Sequence, residues 1–157
     1  MRIDMEKVEA AAKSLRAKAN ELLKIENKEK KAPMLLMKEN EDSKAVVESW
    51  FQNIDNIKEV EAKAGSSTND LRSRLYQANP MLYLNRLQPG SVKNTCPEKQ
   101  VVLIALEDLN QDNGLSKWES APTAIKQEDW VQFSDDMKHD FLGNNGGGLS
   151  IIIAFHK

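Results

Sequence analysis

Oxygen-bearing side chains recur in the twelve-residue segment DLNQDNGLSKWE, residues 108–119, at the spacing that a calcium ion requires of a single loop. Asp108, Asn110 and Asp112 occupy the first, third and fifth positions, and Glu119 occupies the twelfth, where a bidentate carboxylate completes the coordination. A hard cation is held by several oxygens that converge on it, and these residue types supply them. The four residues are therefore the candidate metal ligands, although we expect no cofactor, with calcium as the alternative.

The segment resembles an EF-hand loop, but three features depart from that pattern. Asn113 stands at the sixth position, where the sharp turn normally requires glycine, and Pro122 would interrupt the helix that should leave the loop. The preceding residues, 101–106, have the pattern of a strand and not of an entering helix. We therefore expect a polar turn after a strand, built from Asn, Asp and Gly, with a calcium affinity of about millimolar.

A second segment, GNNGGG at residues 143–148, has the composition of a phosphate-binding loop but not its position. Such loops follow a strand and precede a helix, so that helical N–H groups face the anion. Here the predicted order is the reverse, and the sequence contains no Gly-Lys-Ser or Gly-Lys-Thr. We interpret the segment as a connector, which would form the rim of any site around residues 107–119.

The elements that would position these segments begin with an amphipathic N-terminal helix. Apolar residues alternate at spacings of four and three through residues 1–22, which is the heptad pattern of a helix–helix contact. Val8, Leu15 and Leu22 lie on this seam and are predicted interaction residues, together with Trp118 in the polar loop. Because the seam is short, we expect it to form one arm of a helical hairpin or small bundle, and self-association is the alternative.

Helical patterns continue as far as residue 88. Residues 42–64 carry apolar side chains on one broad face, and a third helix is predicted at about residues 67–78. Asn79 followed by Pro80 has the form of an N-cap and a first helical residue, which predicts a short fourth helix.

The pattern changes at residues 89–99, a connector that contains Pro and Gly. Beyond it, residues 101–106 and 149–155 are predicted buried strands, either parallel or antiparallel, with a helix at about 126–142 between them. His139 would lie in the last turn of that helix and interact with its dipole. The predicted fold class is α+β, with a helical N-terminal half (1–88, a hairpin or small bundle) and a small C-terminal strand–helix–strand unit (100–157), which together form either two regions or one compact domain.

Composition limits the function classes. The net charge is −2 and the isoelectric point is near 5.8, which argues against a nucleic-acid partner. The longest apolar run, residues 101–106, is too short to span a membrane, and the N-terminus lacks the apolar core of a signal peptide. One cysteine excludes an intramolecular disulfide. We therefore expect a soluble, cytoplasmic protein without a membrane partner.

Two hypotheses of function follow from these patterns. The first is a non-enzymatic protein-interaction or assembly protein, with an adaptor, structural or inhibitory role, that binds another protein or itself through the helical heptad face. The alternative is a small enzyme or calcium-responsive protein with a site around residues 107–119 and 143–148, although no catalytic residue is assigned. A pocket lined by polar groups from these loops favours the alternative, and an exposed apolar strip on the first helices favours the interaction protein.

Overall fold

A five-stranded antiparallel sheet lies at the centre of the molecule, with helices on one face and two short strand pairs on the other. The computed structural model describes residues 3–26, 33–64, 70–84, 90–93, 99–118, 122–134, 138–141 and 146–156. The helices are α1 (Met5–Glu26), α2 (Glu41–Gln52) and α3 (Ile54–Ala64). The strands are β1 (Met34–Leu36), β2 (Leu75–Tyr83), β3 (Gly90–Lys93), β4 (Lys99–Ala105), β5 (Leu109–Asn110), β6 (Ala124–Ile125), β7 (Trp130–Ser134), β8 (Lys138–Phe141) and β9 (Leu149–His156).

The strand order in the central sheet is β1-β2-β9-β4-β7, and each neighbouring pair is antiparallel. β9 is buried on both faces, which explains why its sequence is almost uninterruptedly apolar. Ile151 and Ile153 face the helices, whereas Ile152 and Ala154 face the strand pairs β3–β8 and β5–β6.

The helix-covered face is packed around aromatic side chains. Trp50 of α2 is fully buried, with ring centroids 5.1 Å from Phe51, 5.5 Å from Trp130 and 5.9 Å from Phe155. The buried Asn56 amide accepts a hydrogen bond from Trp130 Nε1 (3.1 Å) and donates one to the Trp50 carbonyl (3.1 Å). Because a buried amide is costly without partners, these bonds fix the helix pair α2–α3 to strand β7.

The fold-class prediction of a helical half followed by a small strand–helix–strand unit is wrong. Helices α1, α2 and α3 do lie in the N-terminal half, but residues 67–88 contain a 3₁₀ turn (Arg72–Arg74) and strand β2 in place of two helices. Pro80 is tolerated in β2 because its backbone nitrogen, which has no hydrogen to donate, faces the edge of the sheet and not β9. On that side Met37, the residue after β1, donates to Pro80 O. Asn53, with extended backbone, also divides the predicted helix 42–64 in two.

The predicted helix 126–142 is also wrong. Its described residues form strands β7 and β8, preceded by a turn in which Glu128 has φ of 74°. Pairing of β7 with β4, for example Val102 with Gln132, outweighs the helical spacing of the apolar residues. His139 consequently lies in a strand and not at a helix end.

Three of the predicted elements are confirmed. The N-terminal helix forms, and the segments predicted as strands at 101–106 and 149–155 become β4 and β9, which are antiparallel neighbours.

The core of the helix-covered face draws residues from both predicted regions, 1–88 and 100–157, and strand β3 lies within the predicted connector. Among the described residues, no helix is long and apolar enough to cross a membrane.

Candidate functional site

The acidic segment forms a tight turn that satisfies its own polar groups. Asn110 caps the 3₁₀ turn Gln111–Asn113, because its Oδ1 accepts from Asp112 N at 2.8 Å while Asn113 Oδ1 accepts from Asn110 N at 2.9 Å. Gly114 follows with φ of 110°, a conformation that suits glycine. Side chains with the spacing of calcium ligands therefore act as turn caps.

Two of the predicted metal ligands bond to the main chain. Asp108 Oδ1 accepts from Gln127 N at 2.9 Å, and Asn110 holds the turn as described. Asp112 is exposed, and Glu119 lies outside the described residues. Within the described part of the chain, no cluster of three or more His, Cys, Asp or Glu side chains is arranged to hold a metal ion.

The described end of the Gly-rich segment packs against the backbone of the turn and of β2. Gly148 N donates to Asn113 O at 2.9 Å, and Gly147 N donates to Tyr83 O at 2.7 Å. A Cβ atom on Gly146 would lie 2.4 Å from the carbonyl carbon of Leu84. Glycine at 146 thus serves close backbone packing, and the rest of the segment, residues 143–145, lies outside the described residues.

An ion pair ties α1 to these loops. Arg16 Nη2 lies 2.6 Å and 2.5 Å from the two carboxylate oxygens of Glu107, and Arg16 Nη1 donates to Gly147 O at 3.1 Å. Glu107 also accepts from Leu149 N at 3.0 Å. The side chains are about one-third exposed (34% and 30%), so solvent weakens the ion pair and the hydrogen bonds that both groups make to the main chain matter more than the charge alone.

A buried serine–histidine pair lies just beyond the turn. Residue 117 bridges to strand β8, since Lys117 N donates to Asp140 O at 2.8 Å and Asp140 N donates to Lys117 O at 2.7 Å. This bridge places Ser116 beside His139, with Ser116 Oγ 2.9 Å from His139 Nδ1. Both side chains are buried, at 3% and 6% exposure.

Aromatic rings hold the His139 imidazole. Its centroid is 4.9 Å from that of Phe133 and 5.1 Å from that of Trp118. Burial lowers the pKa of His139 below its ordinary value, against a smaller opposing effect of the Asp140 charge. The imidazole is therefore neutral at pH 7, and it can accept a hydrogen bond from Ser116 when its proton is on Nε2.

A cavity of about 160 Å³ opens beside this pair. Its lining residues are Gln111, Leu115, Ser116, Lys117, Trp118, Pro122 and Thr123. Sequence reasoning missed the pair, because it placed His139 in a helix and treated Ser116 as part of a cation loop. In KHDF, charged and uncharged side chains alternate, and this alternation is the sequence signal that indicates a strand. In the structure, His139 and Phe141 are the buried members.

A second concave region, which we call the edge groove, lies between α2 and β2. It has a volume of about 300 Å³. Its lining residues are Glu39, Ser43, Lys44, Val47, Glu48, Leu75, Ala78, Asn79, Pro80 and Ile151. The side chain of Leu75, at one end of the groove, is 36% exposed, whereas Tyr76 packs against His156 with ring centroids 5.1 Å apart.

The edge groove runs along a part of β2 that has a strand partner on one side only. Met37 N donates to Pro80 O and Leu84 N donates to Pro33 O, both at 2.8 Å. Every second residue of β2 therefore points its backbone N–H and C=O groups toward this side. After Met37 the chain leaves for α2, and no described strand continues the ladder to Ala78. On the other side, Ala78 pairs with Ile153 of β9.

The residues predicted to make intermolecular contacts lie mostly inside this chain. Val8 and Leu15 are buried, at 0% and 4% exposure, and Leu22 packs partly buried against the same core. Trp118 is half-buried against Phe133 and His139. The heptad seam is therefore occupied by contacts of α1 with the rest of its own fold.

No family model matches the chain, and no curated protein matches it. Three solved structures share part of its backbone arrangement. The cupin domain of an XRE family transcriptional regulator from Enterobacter cloacae covers 58% of this chain and 92% of its own length, at 5% identity and a TM-score of 0.39. A predicted oxalate decarboxylase from Thermotoga maritima covers 58% and 75%, at 13% identity and a TM-score of 0.36.

The third, a chain from the structure of Rhodobacter sphaeroides SigE in complex with the anti-sigma ChrR, covers 93% of this chain and 82% of its own, at 14% identity and a TM-score of 0.29. Similarities at these TM-scores do not establish a family or a function for this chain.

Proposed function

We propose that this chain is a protein-interaction module that binds an extended segment of a partner protein along the edge groove. The segment adds one strand to the outer side of β2, next to α2. The observation that carries the proposal is the ladder position at Ala78, which has a strand partner on the β9 side and none among the described residues on the groove side.

Backbone geometry supports an extended segment as the occupant. An open strand edge presents N–H and C=O groups that another strand can pair with, and addition of a strand to such an edge is a recurrent mode of peptide recognition. The ladder on this side of β2 ends with the hydrogen bond between Met37 and Pro80. A bound strand would continue the ladder past Met37, where the chain turns away toward α2.

The lining of the edge groove supports a segment with an uncharged apolar side chain. Val47, Leu75 and Ile151 line the groove, and the charges at its rim pair with one another. Lys44 Nζ is 3.4 Å from Glu41 Oε1, and Arg72 Nη1 is 2.7 Å from Glu48 Oε1. Lys44 also lies 4.0 Å from Glu39, so most of the charges at the rim are paired and a strongly charged segment would gain little from them.

The helical heptad face is a weaker candidate for the interacting surface. Val8 and Leu15 are buried within the chain, so they would reach a partner only if α1 separated from the core. The exposed side chain of Leu75, which lines the edge groove, needs no such rearrangement.

The proposal is tested with a phage-displayed library of random eight-residue peptides. Selected peptides are synthesised, their affinity is measured by fluorescence polarisation, and backbone amide exchange is followed by NMR. We expect micromolar binders with a central apolar residue, and slower exchange of the Ala78 amide in the complex. Ala78→Pro removes the outward N–H without removing a bond to β9, so it should weaken binding at least about tenfold at unchanged melting temperature.

Two matched variants separate the edge groove from the rest of α2. Val47→Lys places a charge in the groove wall and should weaken binding, whereas Gln52→Lys lies on exposed surface outside the groove and should not. Equal affinity of all variants, or binders that leave Ala78 exchange unchanged, would exclude this site. Protection of Ala78 that depends on protein concentration alone would identify a second copy of the chain as the occupant instead.

A further inference from the structure

We propose that Ser116 and His139 form a nucleophile–base pair that hydrolyses short-chain acyl esters bound in the adjacent 160 Å³ cavity. This activity is independent of the edge groove, which lies between α2 and β2. It assigns chemistry to a part of the fold that the peptide-binding proposal does not use.

The distance between the two side chains fits the role. Ser116 Oγ and His139 Nδ1 are 2.9 Å apart, inside the range of about 2.6–3.2 Å over which a base takes the proton of a nucleophile. Burial of both groups keeps bulk water from competing for the hydrogen bond. In the proposed pair, His139 Nδ1 is the acceptor and the imidazole proton is on Nε2.

The imidazole orientation is fixed by packing. Phe133 and Trp118 contact the ring, and main-chain hydrogen bonds of Asp140 with Lys117 hold strand β8 against the loop that carries Ser116. In serine hydrolases, a third group generally orients the base. Here the aromatic contacts and the β bridge at residue 117 supply that constraint.

The cavity limits the substrate class. Leu115, Trp118 and Pro122 give it an apolar wall, and Gln111 and Thr123 add polar groups. Its volume admits an acyl group of a few carbon atoms but not a long chain. Ser116 itself lines the cavity, so a carbonyl carbon bound there can approach the hydroxyl.

The chemistry balances as two acyl transfers. Ser116 Oγ attacks the ester carbonyl, its proton passes to His139 Nδ1, and the alcohol leaves with that proton. Water then attacks the acyl-serine, gives a proton to His139 Nδ1, and the same proton returns to Ser116 as the carboxylic acid is released. The sum is ester plus water to acid plus alcohol, and no oxidant or metal takes part.

The test uses a fluorophosphonate probe and p-nitrophenyl acetate with the full chain. We expect one covalent adduct, located on Ser116 by peptide mass mapping, and saturable release of p-nitrophenol. Ser116→Ala should lose both, and His139→Gln should slow both by at least about 100-fold, the smallest usual contribution of a general base. Ser73→Ala, which changes an exposed serine, should react like the parent.

Circular dichroism confirms that each variant is folded. If His139→Gln does not fold, labelling of the parent chain is measured from about pH 5 to 8. The rate should fall at low pH as His139 becomes protonated, and a flat profile would overturn the role of the base. No adduct, an adduct on another residue, or undiminished hydrolysis by Ser116→Ala would overturn the proposal as a whole.

Discussion

The two faces of the central sheet are stabilised in different ways. On the helix-covered face, Trp50, Phe51, Trp130 and Phe155 form one aromatic cluster, with the Asn56 amide satisfied by two hydrogen bonds. On the opposite face, short strand pairs and turns depend on side-chain caps and glycine contacts. There the buried polar groups include a serine and a histidine.

The two faces of one small fold thus rely to different degrees on side-chain burial and on directional hydrogen bonds. The helix-covered face should respond most to loss of side-chain volume. The opposite face should respond most to backbone crowding and to protonation, because its geometry depends on close backbone contacts and on a neutral imidazole.

The largest expected effect is that of Trp50→Ala. Removal of a fully buried indole in the centre of the aromatic cluster should lower the free energy of unfolding by about 3–5 kcal/mol. Phe133→Ala, on the opposite face and on edge strand β7, should cost at least about 1 kcal/mol less. Urea denaturation monitored by circular dichroism measures both, and equal costs would contradict the comparison.

Backbone crowding should have the next largest effect, in Gly146→Ala. The new Cβ would meet Leu84 main-chain atoms at 2.4–2.5 Å, so the backbone must move, at a cost of about 2–3 kcal/mol. Gly147→Ala is the matched variant. Its nearest non-bonded atom is Leu23 Cδ1 at 3.7 Å, but φ of 107° makes alanine strained by about 1–2 kcal/mol. A smaller cost at 146 than at 147 would argue against the close packing.

Protonation should have a smaller effect, through His139. Its pKa is lowered on folding, so the unfolded chain binds the proton more tightly, and stability is lost as the pH falls below the ordinary value of 6.5. One proton limits the slope to about 1.4 kcal/mol per pH unit. Melting curves from about pH 7.5 to 5 should show this slope in the parent and less of it in His139→Gln, and equal slopes would contradict the role of His139.

The smallest expected effect is that of calcium on the acidic turn. An affinity of about 1 mM predicts stabilisation of about 0.4 kcal/mol at 1 mM calcium, or about 1 °C in melting temperature. The double variant Asp108→Ala, Glu119→Gln should lose this shift. Calorimetry that finds micromolar binding in the parent chain would mean that the turn rearranges around the ion.

Local patterns were sufficient to predict three elements of the fold. The heptad spacing of Val8 and Leu15 predicts α1, and the β-branched runs at 101–106 and 149–155 predict β4 and β9. Strand β2 was missed because Asn79-Pro80 has the local form of a helix start. Only the position of Pro80 toward an edge strand makes it compatible with a sheet, and that position is set by residues more than forty places earlier.

The candidate sites depend even more on tertiary structure. Ser116 and His139 are brought together by the bridge at Lys117, and neither residue stands in a local motif. The edge groove exists because β1 is shorter than β2 and the chain then turns into α2, which is a property of topology. The polar turn at residues 108–114 was the exception, since its Asn, Asp and Gly residues carry the turn signal locally.

The central position of β9 has a consequence for how the chain folds during synthesis. β9 lies between β2 and β4, and it is translated after both, with Pro80 paired to Ile151 and Ile104 paired to the same residue. Until β9 is available, β2 and β4 have no common partner, and each presents an apolar strand edge. Such distant pairings fold slowly and expose aggregation-prone edges, so this chain should depend on chaperones until its last described strand is made.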